Sequence, residues 1–282
     1  MEIRKVQQVG YSTLVVSLPR EWVKQVGLKK GDPVSFTRED DGSLHLFPGI
    51  SASRKEPIKL IINVDKMDGK DLVARIITGT YITGYDIIQI KTKNELSREL
   101  LSEIRDATQR LTGIGIVEQT LNHVTIQNFV DPTRFPVEGL IRRIYTITSA
   151  MYDTIIRAMK EGRRDLTLEV GEMESEVDRI YWLVVRQLLL AVRDRNVSRK
   201  VELDSLAKIM DNRTVAKVLE KIADHAEIVA NELKRMLEDN QNLDEETVEE
   251  IARFCTLARD LYDKTMEAFF RGDLKVADQA LH

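Results

Sequence analysis

The first fifty residues alternate between apolar and polar side chains in short runs, the pattern of half-buried strands. Four such runs are predicted as strands, at residues 2–9, 12–18, 34–38 and 44–47. Gly10 separates the first two runs, and Asp40-Asp41-Gly42 separates the last two. Because an Asp-Gly pair is a strong hairpin signal, we expect the last two runs to form an antiparallel hairpin.

A short amphipathic helix is predicted between these two pairs of strands. Pro19 is tolerated at a helix start and Gly27 at a helix end, which places the helix at residues 20–26. A module of this kind, over residues 1–50, has too few apolar residues for a core of its own. We therefore expect it to form a homodimer or a higher oligomer.

The middle of the chain alternates between strand and helix patterns after a polar linker at residues 51–56 and Pro57. The predicted order is a strand at 58–64, a helix at 70–83, a strand at 86–92, a helix at 95–111, and strands at 114–118 and 124–129. This order predicts a small α/β sandwich over residues 57–130. Its glycines have no phosphate-loop spacing, and the segment indicates no function beyond a spacer or an interaction module.

The rest of the chain, residues 137–282, has the 3.6-residue apolar period of long helices. Helices are predicted at residues 137–160, 166–193, 203–237 (with a possible break at 211–212) and 245–270. Helices of this length pack as an antiparallel bundle. The whole chain is thus predicted to be a multidomain α+β protein.

An internal repeat occurs within the helical part. Met151-Tyr152-Asp153, followed by Ala158 and Gly162, corresponds to Leu261-Tyr262-Asp263, followed by Ala268 and Gly272. An Asp-Leu pair follows each glycine. The second copy stops inside a helix, so we expect this sequence to be a fragment of a longer protein.

Composition and charge exclude several classes of protein. Of the 282 residues, 43% are hydrophobic and 31% are charged, which suits a globular chain. The N-terminus is polar, so we predict no signal peptide, and no apolar run is long enough to predict a membrane span. We therefore expect a cytoplasmic protein. The single cysteine, Cys255, excludes an intramolecular disulfide and a multi-cysteine metal site.

Two predicted helices carry the same short acidic motif. Glu174 and Asp178 are four residues apart, as are Glu220 and Asp224. This spacing places each pair of carboxylates on one helix face. Each pair also borders an apolar stripe, made of Met173, Val177, Ile180 and Val184 in one helix and of Leu219, Ile222, Ala226 and Val229 in the other. If the stripes pack together, all four carboxylates lie at one helical interface.

Two interpretations of this acidic group remain open. Clustered carboxylates repel each other unless they bind a cation or take up protons, which suggests a site for Mg²⁺, Mn²⁺, Ca²⁺ or an iron centre. Alternatively, the four residues belong to ordinary solvated helix surface. A motif that occurs twice in one bundle favours the metal site more than a single occurrence would.

The N-terminal module resembles the AbrB/SpoVT family of swapped-hairpin DNA-binding domains. The matching residues are Arg4-Lys5-Val6, Gly10, Leu18-Pro19-Arg20-Glu21-Trp22, Val26-Gly27-Leu28 and Lys30-Gly31-Asp32-Pro33-Val34. The resemblance implies an intertwined homodimer that presents basic side chains to DNA, which here are Arg4, Lys5, Arg20 and Lys24. A few cations per subunit, doubled by dimerisation, neutralise several phosphates. The alternative is a module that only dimerises the chain.

The helical part resembles the PhoU family of phosphate-uptake regulators. The resemblance rests on Asp165-Leu166, on residues 174–181 with their Glu-x-x-x-Asp pair, and on Leu219-Glu220-Lys221-Ile222-Ala223-Asp224-His225-Ala226. It implies that the carboxylates bind a metal, commonly iron or zinc, and that the protein contacts transporter or signalling proteins.

An enzyme is the weakest interpretation, because the four histidines form no ligand-spaced pair and Cys255 has no activating base nearby in the sequence. We therefore expect a metal-binding regulator of phosphate uptake with a dimeric DNA-binding head. The alternative is an adaptor that does not bind DNA and docks on a phosphate transporter or a signalling kinase.

Overall fold

The computed structural model describes residues 2–38, 42–49, 57–65, 67, 69, 71–239 and 244–281. The chain divides into two compact units, residues 1–56 and residues 57–282. The predicted α/β sandwich and the predicted helical bundle lie together in the second unit. The predicted linker at residues 51–56 and the turn residues Asp40 and Asp41 lie outside the described residues.

The N-terminal unit contains two antiparallel hairpins and a short helix. Its elements are β1 (Gln7–Val9), β2 (Thr13–Val15), α1 (Arg20–Gln25), β3 (Val34–Arg38) and β4 (Leu44–Pro48). Gly10, with a φ of 71°, forms the turn between β1 and β2, which are shorter than predicted. Among the described residues of this unit, none is buried, and several large apolar side chains, including Ile3, Tyr11, Leu14 and Phe36, are more than half exposed.

The α/β part of the second unit is one four-stranded sheet with two helices. Its elements are β5 (Lys59–Asn63), α2 (Leu72–Ile82), β6 (Ile87–Lys91), α3 (Arg98–Gln109), β7 (Ile114–Gln119) and β8 (His123–Asn128). The strand order is β5-β6-β8-β7, with β5 and β6 parallel and the other pairs antiparallel. Alternate residues of the strands, such as Ile62, Ile90 and Ile126, form one core with α2 and α3.

The helical part begins after a 3-10 turn at Pro132–Arg134. Its helices are α4 (Val137–Glu161), α5 (Arg164–Arg193), α6 (Arg195–Lys200), α7 (Leu206–Glu238), α8 (Glu245–Arg271) and α9 (Leu274–Leu281). α4, α5 and α7 pack against one another, and α8 packs against α4. α7 has no break at residues 211–212, because the buried Asn212 side chain donates to the Lys208 carbonyl within the helix. The predicted multidomain α+β fold is confirmed.

The α/β part is attached to the bundle through α5. Trp182 on α5 packs against the apolar cores of both parts. Arg186, which is 2% exposed, donates to the carbonyl of Tyr81 and, at 3.4 Å, to that of Tyr85, at the C-terminal end of α2. Arg193 donates to the Thr83 carbonyl at 2.5 Å. A cation at a helix C-terminus also interacts favourably with the helix dipole, so both arginines stabilise the attachment.

Gly84 follows α2 at the same contact and has a φ of 93°. A Cβ atom there would lie 2.7 Å from Cδ2 of Leu190 on α5. The close approach of the two parts therefore requires glycine at this position. Within the described residues, we find no helix with the length and apolar character that crossing a bilayer requires.

We predict that Arg186→Met destabilises the second unit far more than Arg193→Met does. The buried change leaves the Tyr81 and Tyr85 carbonyls without their cation and should cost about 2–4 kcal/mol. Arg193 is exposed, so water replaces it and the cost should stay below about 1 kcal/mol. Urea unfolding followed by circular dichroism measures both values, and equal losses for the two variants would contradict this account of the attachment.

Candidate metal centre

The helices α5 and α7 pack along a seam to which α7 contributes mostly small side chains. The buried α7 residues alternate at spacings of three and four: Ala216, Leu219, Ala223, Ala226, Ala230 and Leu233. This is the spacing of helices that pack at a shallow angle. Facing them, α5 buries larger side chains that include Val177, Ile180 and Val184. The alanines allow the α7 backbone to lie close to these side chains.

The two helices run antiparallel. Near the start of α5, Arg164 forms an ion pair with Glu238 at the end of α7, at 2.5 Å. Further along α5, the Tyr181 ring lies under the cations of Arg213 and Lys217, at 5.3 and 5.4 Å. The order of contacts is therefore reversed along the two chains, and the acidic motifs of the two helices meet at their middle.

Three carboxylates converge at this place. Glu174, Asp178 and Asp224 each offer an oxygen atom, and these three atoms lie within 4.8 Å of one another. All three side chains are partly buried at the edge of the α5–α7 seam. The structure thus brings together three of the four residues that the sequence singled out.

Two carboxyl groups of this cluster have raised pKa values, as is expected of clustered, partly buried acids. Burial, together with the charges of Asp178, Glu227 and Asp224, raises the pKa of Glu174 to about 7. Burial likewise raises the pKa of Asp178 to about 6, with Glu220 and Asp224 acting in the same direction. The positive charges of Lys217 and Arg110 oppose that rise.

Glu220 has a different environment from the other three. It is 8% exposed, and Nζ of Lys217 donates to its two carboxylate oxygens at 2.6 and 2.5 Å. Its charge still contributes to the raised pKa of Asp178. Of the four carboxylates expected from the sequence, three converge and Glu220 is held by Lys217. Asp224, one of the three, is also paired with Nζ of Lys221, at 3.4 Å.

Glu227 is a further acidic residue near the cluster that the sequence reasoning missed. Its Oε1 atom lies 3.9 Å from where a Cβ atom would stand on Gly171, so it faces α5. Its charge acts on Glu174. The available signal was its position three residues after Asp224, which places it on the same helix face.

The donor set suits a hard cation. Carboxylate oxygens are typical ligands of Mg²⁺, Mn²⁺ and iron, and they also bind Zn²⁺. Three protein oxygens at one helical edge would leave further coordination positions for water or another ligand. The residues therefore fit a metal ion, and Glu174, Asp178 and Asp224 are the residues that would hold it.

The four cationic residues predicted to contact DNA lie in the N-terminal unit and are all exposed. Arg4 donates to Oγ of Ser17 at 3.1 Å and also pairs with Glu2. Arg20 and Lys24 are four residues apart on α1 and share one face of that helix. Lys5 follows Arg4 and precedes β1. The structure separates these residues into two groups, one before β1 and one on α1.

Two protein families match separate parts of the chain. Residues 141–233 match the family described as PhoU domain. Residues 7–55 match the family described as Antidote-toxin recognition MazE, bacterial antitoxin. No curated protein and no solved structure matches the chain. The predicted architecture, a PhoU domain behind a swapped-hairpin type of N-terminal domain, is thereby confirmed, and the carboxylate cluster lies inside the PhoU domain.

We predict that the carboxylate cluster makes the metal-free protein less stable as the pH rises. The pKa values of Glu174 and Asp178 are higher in the folded state than the ordinary values of 4.5 and 3.8. The folded state therefore holds more protons, and its stability falls between about pH 4 and pH 7. Glu174→Gln with Asp178→Asn should remove this fall.

The measurement is the free energy of unfolding of the wild type minus that of the double variant, taken from pH 4 to pH 8 in the presence of a chelator. A difference that stays constant over this range would show that the two groups titrate normally.

Proposed function

We propose that this protein is a metal-binding regulator of phosphate uptake, in which the PhoU domain binds the metal and the N-terminal domain binds DNA as a dimer. The observation that carries the proposal is the convergence of Glu174, Asp178 and Asp224 at the α5–α7 seam within the PhoU domain. The PhoU domain itself supports a role in phosphate-uptake regulation. Iron or zinc is the proposed metal.

A metal at this place would act on structure, since it replaces repulsion among three carboxylates by attraction to one cation. Such an ion binds the folded state and therefore raises its stability. Because the ligands come from two helices, the ion also fixes α5 relative to α7. We infer that metal occupancy is what the bundle senses and that no catalytic step is involved.

The proposed DNA-binding role rests on the basic residues and the exposed apolar surface of the N-terminal unit. Arg4, Lys5, Arg20 and Lys24 are exposed. Apolar residues such as Leu14 and Phe36 are 69% and 64% exposed in one chain. Burying them against a second copy would stabilise a dimer and double the number of cations.

A second candidate function is that of an adaptor that does not bind DNA. It is favoured by a row of exposed apolar residues along α8, namely Ile251, Phe254, Leu257 and Leu261. A row of this kind fits a helical surface of another protein, such as a phosphate transporter or a signalling kinase. DNA binding by the purified protein separates the two candidates.

We predict that Asp178→Asn with Asp224→Asn abolishes metal binding while the helices remain folded. Each change keeps the side-chain size and removes one anionic ligand. Glu220→Gln should weaken binding less, because Lys217 already compensates Glu220. Elemental analysis of protein purified without a chelating tag gives the stoichiometry, and Glu232→Gln, an exposed acid on α7, is the control.

Chelation should lower the melting temperature of the wild type and leave that of the double variant unchanged. Wild-type stoichiometry in the double variant would refute the assignment of these ligands. A wild type that binds no metal after incubation with Fe²⁺ or Zn²⁺ would favour the alternative interpretation, in which these residues are ordinary solvated helix surface.

We predict that Arg4→Ala with Lys24→Ala weakens DNA binding for all sequences alike and reduces its salt dependence. Each cation that leaves a phosphate lowers the slope of log K against log salt by about 0.9. Lys29→Ala with Lys30→Ala removes the same charge from the same domain and should have a smaller effect. Electrophoretic or anisotropy titrations at several salt concentrations measure the slopes, and identical slopes in the wild type and the Arg4/Lys24 variant would favour the adaptor.

A further inference from the structure

The carboxylate cluster and the attachment site of the α/β part lie on one row of α5. Glu174, Asp178, Trp182 and Arg186 follow one another at intervals of four residues, so each lies about one turn beyond the one before it. The first two belong to the cluster, and the last two contact the α/β part. The cluster is therefore one turn away from the contact between the two parts of the unit.

A cleft of 1120 Å³ opens where these two parts meet. Its walls are formed by residues of α2 and α3, and Asp178 and Trp182 line it from α5. One carboxylate of the cluster is thus exposed to a space that the α/β part encloses. The α/β part lines this cleft with Asp71, Glu99, Glu103 and Asp106 as well as with Arg75 and Arg110.

Arg110, at the C-terminal end of α3, lines the same cleft. Thr112, two residues after Arg110, joins this end of α3 to α5, since its Oγ1 donates at 3.2 Å to the carbonyl of Arg179, the residue after Asp178. Tyr81 of α2 in turn donates to the Thr112 carbonyl at 2.9 Å. The positive charge of Arg110 partly offsets the effect of burial and of the neighbouring carboxylates on the pKa of Asp178.

We propose that Arg110 is an affinity-determining residue of the carboxylate cluster. This inference rests on the proposed metal site. Arg110 stabilises the anionic cluster when no metal is bound and repels a metal cation that enters it.

The test is the metal affinity of the full chain carrying Arg110→Gln, measured by titration with Zn²⁺ and with Mn²⁺ as probes. Loss of the repelling charge should raise the affinity roughly two- to fivefold, since Arg110 is exposed and its field is screened by water. Arg110→Lys keeps the charge and should restore the wild-type affinity. Arg75→Gln is the matched control, because Arg75 is an equally exposed arginine of the same cleft.

Salt distinguishes an electrostatic effect from a structural one. At about 1 M salt the Debye length falls to about 3 Å, so the difference between the wild type and Arg110→Gln should disappear. Equal affinities for Arg110→Gln and Arg75→Gln at low salt would overturn this inference, as would a difference that persists at high salt. Failure of the wild type to bind either metal would instead overturn the proposed metal site.

Discussion

The close antiparallel packing of α5 and α7 is the constraint on which the site depends. Like charges within 4.8 Å of one another repel by about 1–3 kcal/mol per pair at the effective dielectric constants of a protein edge. Burying a Val or Leu side chain contributes about 1.5–3 kcal/mol, and the seam buries many such residues. The apolar seam therefore holds the carboxylates together against their repulsion, and proton uptake at Glu174 and Asp178 relieves part of it.

α5 connects the two parts of the second unit. α5 carries Glu174 and Asp178 near its middle and the contacts to α2 toward its C-terminal end. The buried Arg186 donates to the carbonyls of Tyr81 and Tyr85 at the end of α2, which positions the α/β part against the bundle. A shift of α5 against α7 on metal binding would therefore be transmitted to the cleft beside Asp178. If the proposed metal site is occupied, the α/β part lies next to it.

The sequence predicted most of the elements and three carboxylates that converge in the structure, but it did not predict α6 or α9. Glu174, Asp178 and Asp224 were found because a four-residue spacing beside an apolar stripe defines one helix face. The stripe on α7 was placed in the wrong register, since Val229 is 43% exposed while Ala223 and Ala230 are buried. Alanine gives a weak hydrophobic signal, and the larger valine therefore received too much weight.

Long-range contacts were beyond sequence reasoning. Nothing local indicates that Arg186 bonds to the end of α2, about a hundred residues away in the sequence, or that Arg110 and Asp178 line one cleft. These contacts depend on how the α/β part packs on α5. For the same reason, the sequence offered no role for the middle of the chain.

The most direct test of the account is anomalous X-ray diffraction from crystals of the protein grown with Zn²⁺ or Fe²⁺. We expect an anomalous peak between α5 and α7, about 2.0–2.2 Å from carboxylate oxygens of Glu174, Asp178 and Asp224. A protein without a peak at this place, or with its metal bound by other residues, would contradict the central claim.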